Sequence, residues 1–213
     1  MTHSGELSAA TVYLRGSTEF DRALAFTDAI FGFSITLLIA SVDVPPDEAW
    51  TSPTTLLDSG LGNQLMAFGI SFAVVAAFWR SNHRAIAAFR ALDSVTLRVS
   101  IILVGLVVFI PFTTRAISTS AAPLATALYA LNIALVVLTS CALVALARAR
   151  HLTDTGTTLL NDVARELATA AVFLASIPVA YLAGSGTAML TWLSLLVIDP
   201  VVEHLAARRR FAE

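Results

Sequence analysis

The sequence predicts an all-α membrane protein with six transmembrane helices per chain and both termini in the cytoplasm. Three observations predict it. The 213 residues are 57% hydrophobic and only 13% charged, with a mean hydropathy of +0.79, whereas a soluble domain is nearer half apolar and a quarter charged. Six segments each supply the roughly 20 mostly apolar residues needed to cross a bilayer core. The arginines gather at alternating ends of those segments, the bias that sets orientation in membranes.

Residues 1–18 form a polar segment that contains Glu6 and Arg15 and no apolar run, which reads as a cytoplasmic amino terminus without a cleavable leader. The membrane domain is expected over residues 19–206. Its first span covers about residues 21–42 and ends before Asp43-Val-Pro-Pro-Asp47, where paired prolines stop a helix. The second covers about 63–83, the third about 97–117 with Pro111 inside it, and the fourth about 123–147. The fifth and sixth, about 163–182 and 186–206, are separated only by Gly184-Ser-Gly186, a sequence suited to a tight helical hairpin. Residues 207–213 form a basic cytoplasmic tail. Pro111 and Pro178 are expected to shape their helices. Asp199, Glu203 and His204 read as a solvated interfacial end of the last span.

The chain has no lysine, so its 13 basic residues are all arginine. Arg15 and Arg22 precede the first span, Arg80 to Arg98 surround the second-to-third link, and Arg148, Arg150 and Arg165 flank the fourth-to-fifth. Three more close the chain at residues 208–210, and Arg115 alone lies on the other side. The first-to-second link instead carries Asp43, Asp47, Glu48 and Asp58. This places the protein in the cell membrane as a multi-pass chain whose partner is the lipid bilayer. Nothing in it points to nucleic acid, and no protein partner can be inferred.

Ionisable groups at membrane depth are costly and usually face a bundle interior or a water-filled path. Arg22 and Asp28 are such groups. On a helical wheel they lie about 120° apart, so they cannot pair as helix neighbours. Phe33, Leu37 and Ala40 share one stripe with Thr36 beside it, and Asp28 points about 140° away from Phe33. Trp79, Asn82 and His83, spaced i, i+3 and i+4, are expected to share a face of the second span at the depth of Asp28. They offer an indole, an amide and an imidazole to a buried carboxylate or to the Thr27 hydroxyl. A polar clamp that fixes helix packing, a clamp that also moves, and a proton relay from Asp28 to His83 all fit that set. The Phe33 stripe fits either helix and lipid contact or an aqueous path.

No enzyme constellation is present: no HExxH, CxxC or GxSxG spacing and no phosphate-cradling glycine loop. Thr155-Gly156-Thr157 lies in a polar loop and cannot serve as a backbone-carbonyl ion filter. Cys141, the only cysteine, reads as a small buried apolar residue.

Arg22-x-x-x-Phe26-Thr27-Asp28, followed by Ala29-Ile-Phe-Gly-Phe-Ser-Ile-Thr-Leu-Leu38, resembles the first-helix pattern of the transmembrane protein 175 family. These are the endosomal and lysosomal potassium channels and their prokaryotic single-repeat relatives. Threonine at 27 stands where the family has serine. Phe78-Trp79-Arg-Ser-Asn82-His83-Arg84 is similar to the second-helix tryptophan and histidine motif, with Asn82 where histidine is common. Phe109-Ile-Pro111-Phe112 is similar to the third-helix proline motif.

The resemblance implies a homotetrameric, potassium-permeable cation channel with no cofactor beyond the permeating ions. It implies a pore lined by the first helix, with a hydrophobic constriction at Phe33, Leu37 and Ala40 and a selectivity threonine at Thr36. Arg22, Phe26, Thr27, Asp28, Trp79, Asn82 and His83 would form the structural and gating network around that helix. Phe33 replaces an aliphatic residue and Ala40 is small, so the inner constriction is bulkier and the outer one weaker than the family pattern. The alternative on residues alone is a proton-coupled secondary transporter that uses Asp28 and His83.

Overall fold

The structure, a computed structural model, describes residues 12–153 and 158–193. It is mostly helical. A short strand β1 (Val12–Leu14) precedes α1 (Thr18–Leu38), which tightens into a 3₁₀ turn over Ile39–Ser41. After a second 3₁₀ turn at Asp47–Thr51 come α2 (Pro53–Leu56), a π turn at Leu57–Leu61 and α3 (Gly62–Ala87). Strand β2 (Ala91–Asp93) leads into α4 (Ser94–Val108), α5 (Ile110–Thr119) and α6 (Pro123–Ala149). The described chain closes with α7 (Thr158–Ala183) and α8 (Ser185–Leu193).

Five helical stretches among the described residues are long and apolar enough to cross a membrane. They are Thr18–Ser41, Pro53–Ala87, Ser94–Thr119, Pro123–Ala149 and Arg165–Ala183. The expected sixth span begins as α8, and its remainder lies outside the described residues, with Asp199, Glu203, His204 and the carboxy-terminal tail.

Three local departures have physical causes. The link after α1 is not open coil. Ser52 accepts from the Thr55 amide in a reciprocal capping box, and Pro53 starts α2 where its missing N–H costs nothing. Gly60, at φ +88°, then turns the chain into α3. The third span breaks after Val108 because Pro111, near the start of α5, supplies no amide to the preceding turn. Strands β1 and β2 were not anticipated, since three residues carry no readable alternation. They pair antiparallel with Val12 opposite Asp93 and Leu14 opposite Ala91.

That pairing ties three chain segments at the arginine-rich end. The Arg15 amide donates to the Arg90 carbonyl at 2.8 Å, and the Arg90 amide donates to the Leu152 carbonyl at 2.7 Å. Asp93 is buried, caps α4 through the Thr96 amide at 2.8 Å, and accepts a charge-assisted bond from Arg150 just after α6. Burial opposes its ionisation, but the Thr96 amide and hydroxyl and the Arg150 guanidinium outweigh that cost. They hold the carboxyl below the usual carboxylate range.

Helix α6 packs against α4, α5 and α7, and α1 packs against α3, α4 and α5. The core between them holds Phe31, Leu38, Val75, Leu103, Tyr129 and Phe173. Tyr129, Phe173 and Trp192 meet as an aromatic cluster, with Tyr129 and Trp192 centroids 4.9 Å apart. The Tyr129 hydroxyl lies 3.0 Å from Ser71 Oγ, and Thr114 donates to that same oxygen at 2.8 Å.

Candidate functional site

Helix α1 presents two unlike faces. Phe20, Thr27, Phe31, Ser34 and Leu38 are buried against the bundle. Their hydroxyls are satisfied within the helix: Thr27 donates to the Ala23 carbonyl at 3.0 Å and Ser34 to the Ile30 carbonyl at 2.9 Å. The other face carries Arg22, Phe26, Phe33, Thr36, Leu37 and Ala40, all exposed in the single chain. Phe33 is 65% exposed and Leu37 50%, values that leave these apolar side chains without intrachain cover.

Four of the sequence-derived positions, Phe33, Thr36, Leu37 and Ala40, are therefore on one uncovered face. Thr36 donates its hydroxyl hydrogen to the Phe33 carbonyl at 2.8 Å. Its oxygen lone pairs remain available on that face. Phe26, grouped with the polar network on sequence, is instead 55% exposed on the same side, two turns before Phe33.

The polar network is only partly assembled. The Trp79 indole donates to Asp28 Oδ1 at 3.0 Å, joining α3 to α1. Its ring lies 5.6 Å from that of His83, at 33°. Asn82 does not join them. It is buried in the bundle at 3% exposure, and its Nδ2 has no partner among the described residues. The cause is angular: Asn82 and His83 are consecutive, so their side chains leave α3 about 100° apart. The Thr27 hydroxyl stays within its own helix, and Arg22 is exposed without a polar partner among the described residues.

Two groupings carried no sequence signal strong enough to find them. At the end of α1 away from the arginine-rich side, Arg115 of α5 reaches the Ala40 carbonyl and Asp43. Where α3, α6 and α7 meet, the Glu166 carboxylate accepts from Ser81 and, at 3.5 Å, from Cys141. Cys141 is thus half-buried beside a carboxylate, a more polar position than its apolar neighbours in sequence suggest. Among the described residues no three His, Cys, Asp or Glu side chains converge as a metal site.

The geometry has a counterpart among known proteins. The family described as endosomal/lysosomal potassium channel TMEM175 matches residues 22–111, the stretch that contains most of α1, the Asp28–Trp79 contact and the Pro111 break. That match covers less than half of the chain. Its fold is similar to the crystal structure of a lysosomal potassium-selective channel TMEM175 homologue from Chamaesiphon minutus. That likeness has a TM-score of 0.66 at 24% identity and covers 90% of this chain and 98% of that one. It is also similar to a threonine-to-alanine variant of the potassium channel MtTMEM175, crystallised with a nanobody–MBP fusion, with a TM-score of 0.58 at 15% identity. That likeness covers 97% of this chain and 98% of that chain. No curated protein sequence matches the chain. Five bilayer-length apolar helices among the described residues are those of a multi-pass membrane protein.

Proposed function

We propose that this chain is a potassium-permeable cation channel of the TMEM175 family, assembled as a homotetramer in the cell membrane with both termini cytoplasmic. The exposed face of α1 from each subunit lines the central path. Phe33 and Leu37 form a hydrophobic constriction that gates by dewetting, as apolar pore rings do. Thr36 places its oxygen toward a partly dehydrated ion between them. Ala40 leaves the outer part of the path wide. The Asp28–Trp79 bond holds the pore helix from behind, and Arg22 and His83 flank it at the cytoplasmic end.

One observation carries this reading: α1 buries one face in its own bundle and leaves Phe33, Thr36, Leu37 and Ala40 uncovered along the other. A stripe that is apolar with one threonine suits a fourfold seam around water and ions better than it suits lipid alone. The TMEM175 match over residues 22–111 supports potassium as the permeating ion.

Potassium flux into liposomes tests it. Phe33→Ala should raise flux by opening the constriction, and Thr36→Ala should lower potassium preference over sodium while flux persists. Unchanged flux and preference in both variants would remove these residues from the path. A proton-coupled transporter is less well supported: Trp79 takes up an Asp28 oxygen, and among the described residues His83 meets the Trp79 ring rather than that carboxylate.

A further inference from the structure

The last turn of α1 contains no basic residue, so the helix itself supplies nothing to complement its negative end or its final carbonyls. Another helix supplies both. Arg115 of α5 donates from Nη1 to the Ala40 carbonyl at 2.8 Å and from Nη2 to Asp43 Oδ1 at 3.1 Å. Two further contacts fix the same stretch of chain. The Asp43 amide donates to Gln64 Oε1 of α3 at 2.6 Å, and Ser118 of α5 donates to the Ser41 carbonyl at 3.4 Å. Residues 40–43 are thus fastened to α3 and α5 together. Arg115 lies one turn beyond Pro111, so the α4–α5 break sets the direction from which it reaches α1.

The charge placement is unusual for this chain. Arg115 stands apart from the other twelve of its 13 arginines, which the orientation puts at the cytoplasmic side. It lies next to Ala40, the outermost residue of the exposed stripe. A bare guanidinium there would raise the local potential against incoming cations. Asp43 lies against it, and both side chains are about half exposed, at 52% and 50%. A pair that wet adds little to stability. Its effect is on the field at that end of the helix.

We propose that Arg115 is a positioning residue for the outer end of the α1 pore face, and that Asp43 is the counter-charge that stops it repelling entering cations. This rests on the reading of α1 as the pore helix. In a tetramer the pair would recur around the outer mouth, so a change in its net charge acts on the path from every subunit.

Single-channel recording of the full-length protein in planar bilayers tests it at two salt concentrations. Asp43→Asn should reduce potassium current entering from the outer side by about tenfold in ~0.05 M salt, and the deficit should vanish in ~1 M salt, where the Debye length falls to about 3 Å. Asp43→Glu should retain wild-type current. Adding Arg115→Gln to Asp43→Asn should restore low-salt current, and Arg115→Gln alone should raise it. A change in packing alone would not follow ionic strength in this way. Wild-type current in Asp43→Asn at low salt, or a deficit equal at both concentrations, would overturn the proposal. A wild-type protein that carries no current would overturn the pore reading itself.

Discussion

The Trp79 indole nitrogen donates to Asp28 Oδ1 at 3.0 Å, across 51 residues of sequence, and fixes the back of α1 to α3. A side-chain hydrogen bond of this kind contributes on the order of 1 kcal/mol. Trp79→Phe keeps most of the ring and its contact with His83 but removes the donor. It should lower thermal stability in detergent by about 1–2 kcal/mol and change open probability. Asp28→Asn should do less harm than Asp28→Ala, because an amide oxygen still accepts. Equal melting temperatures for Asp28→Asn and Asp28→Ala would argue that the bond holds nothing.

Tyr129 is buried between Phe173 and Trp192, and its hydroxyl meets Ser71. Tyr129→Phe removes only the polar contact and should cost about 1 kcal/mol. Tyr129→Ala also opens a cavity in the aromatic cluster and should cost about 3–5 kcal/mol. Chemical denaturation in mild detergent separates the two. Similar costs for both variants would mean that the ring contacts are not what stabilises this layer.

Asp93 makes stability depend on acid. Its folded carboxyl sits below the ordinary value of 3.8, held there against burial by Thr96 and Arg150. A lowered folded value means that the ionised form stabilises the fold. That stabilisation is fully present above the ordinary value and is lost as pH falls through the folded one. Asp93→Asn keeps a capping oxygen but loses the charge that faces Arg150, and should therefore be less stable than wild type at neutral pH. The gap should narrow as pH falls from about 4, where the unfolded chain begins to take up the proton, through the lower folded value, where the native carboxyl is protonated too. A gap that stays constant down to pH 3 would show that the charge is irrelevant.

Much of this architecture is legible in residue order. The long apolar windows, the Pro111 break and the Gly184 hairpin follow from local chemistry, and the helical wheel puts Phe33, Thr36, Leu37 and Ala40 together. Asn82 falls about 60° to one side of Trp79 and His83 about 40° to the other, so the i, i+3, i+4 face is wide enough for the bundle to take one edge of it. The Trp79 and His83 rings meet, while Asn82 is buried in the bundle. The Ser52-Pro53 start of α2 was a readable cap, obscured because the apolar run begins ten residues later. Strands β1 and β2 are too short to show a period. Arg115 with Ala40, and Glu166 with Ser81, are joined across 75 and 85 residues, and no spacing rule reaches that far.

Cysteine accessibility along α1 tests the central claim most directly. In a Cys141→Ser background, T36C and L37C should react with a small charged thiol reagent in the liposome-reconstituted protein, and reaction should block potassium flux. L38C, on the buried face, should neither react nor alter flux when treated. Block at position 38 with free flux after labelling at 36 and 37 would contradict the assignment of the exposed face of α1 to the pore.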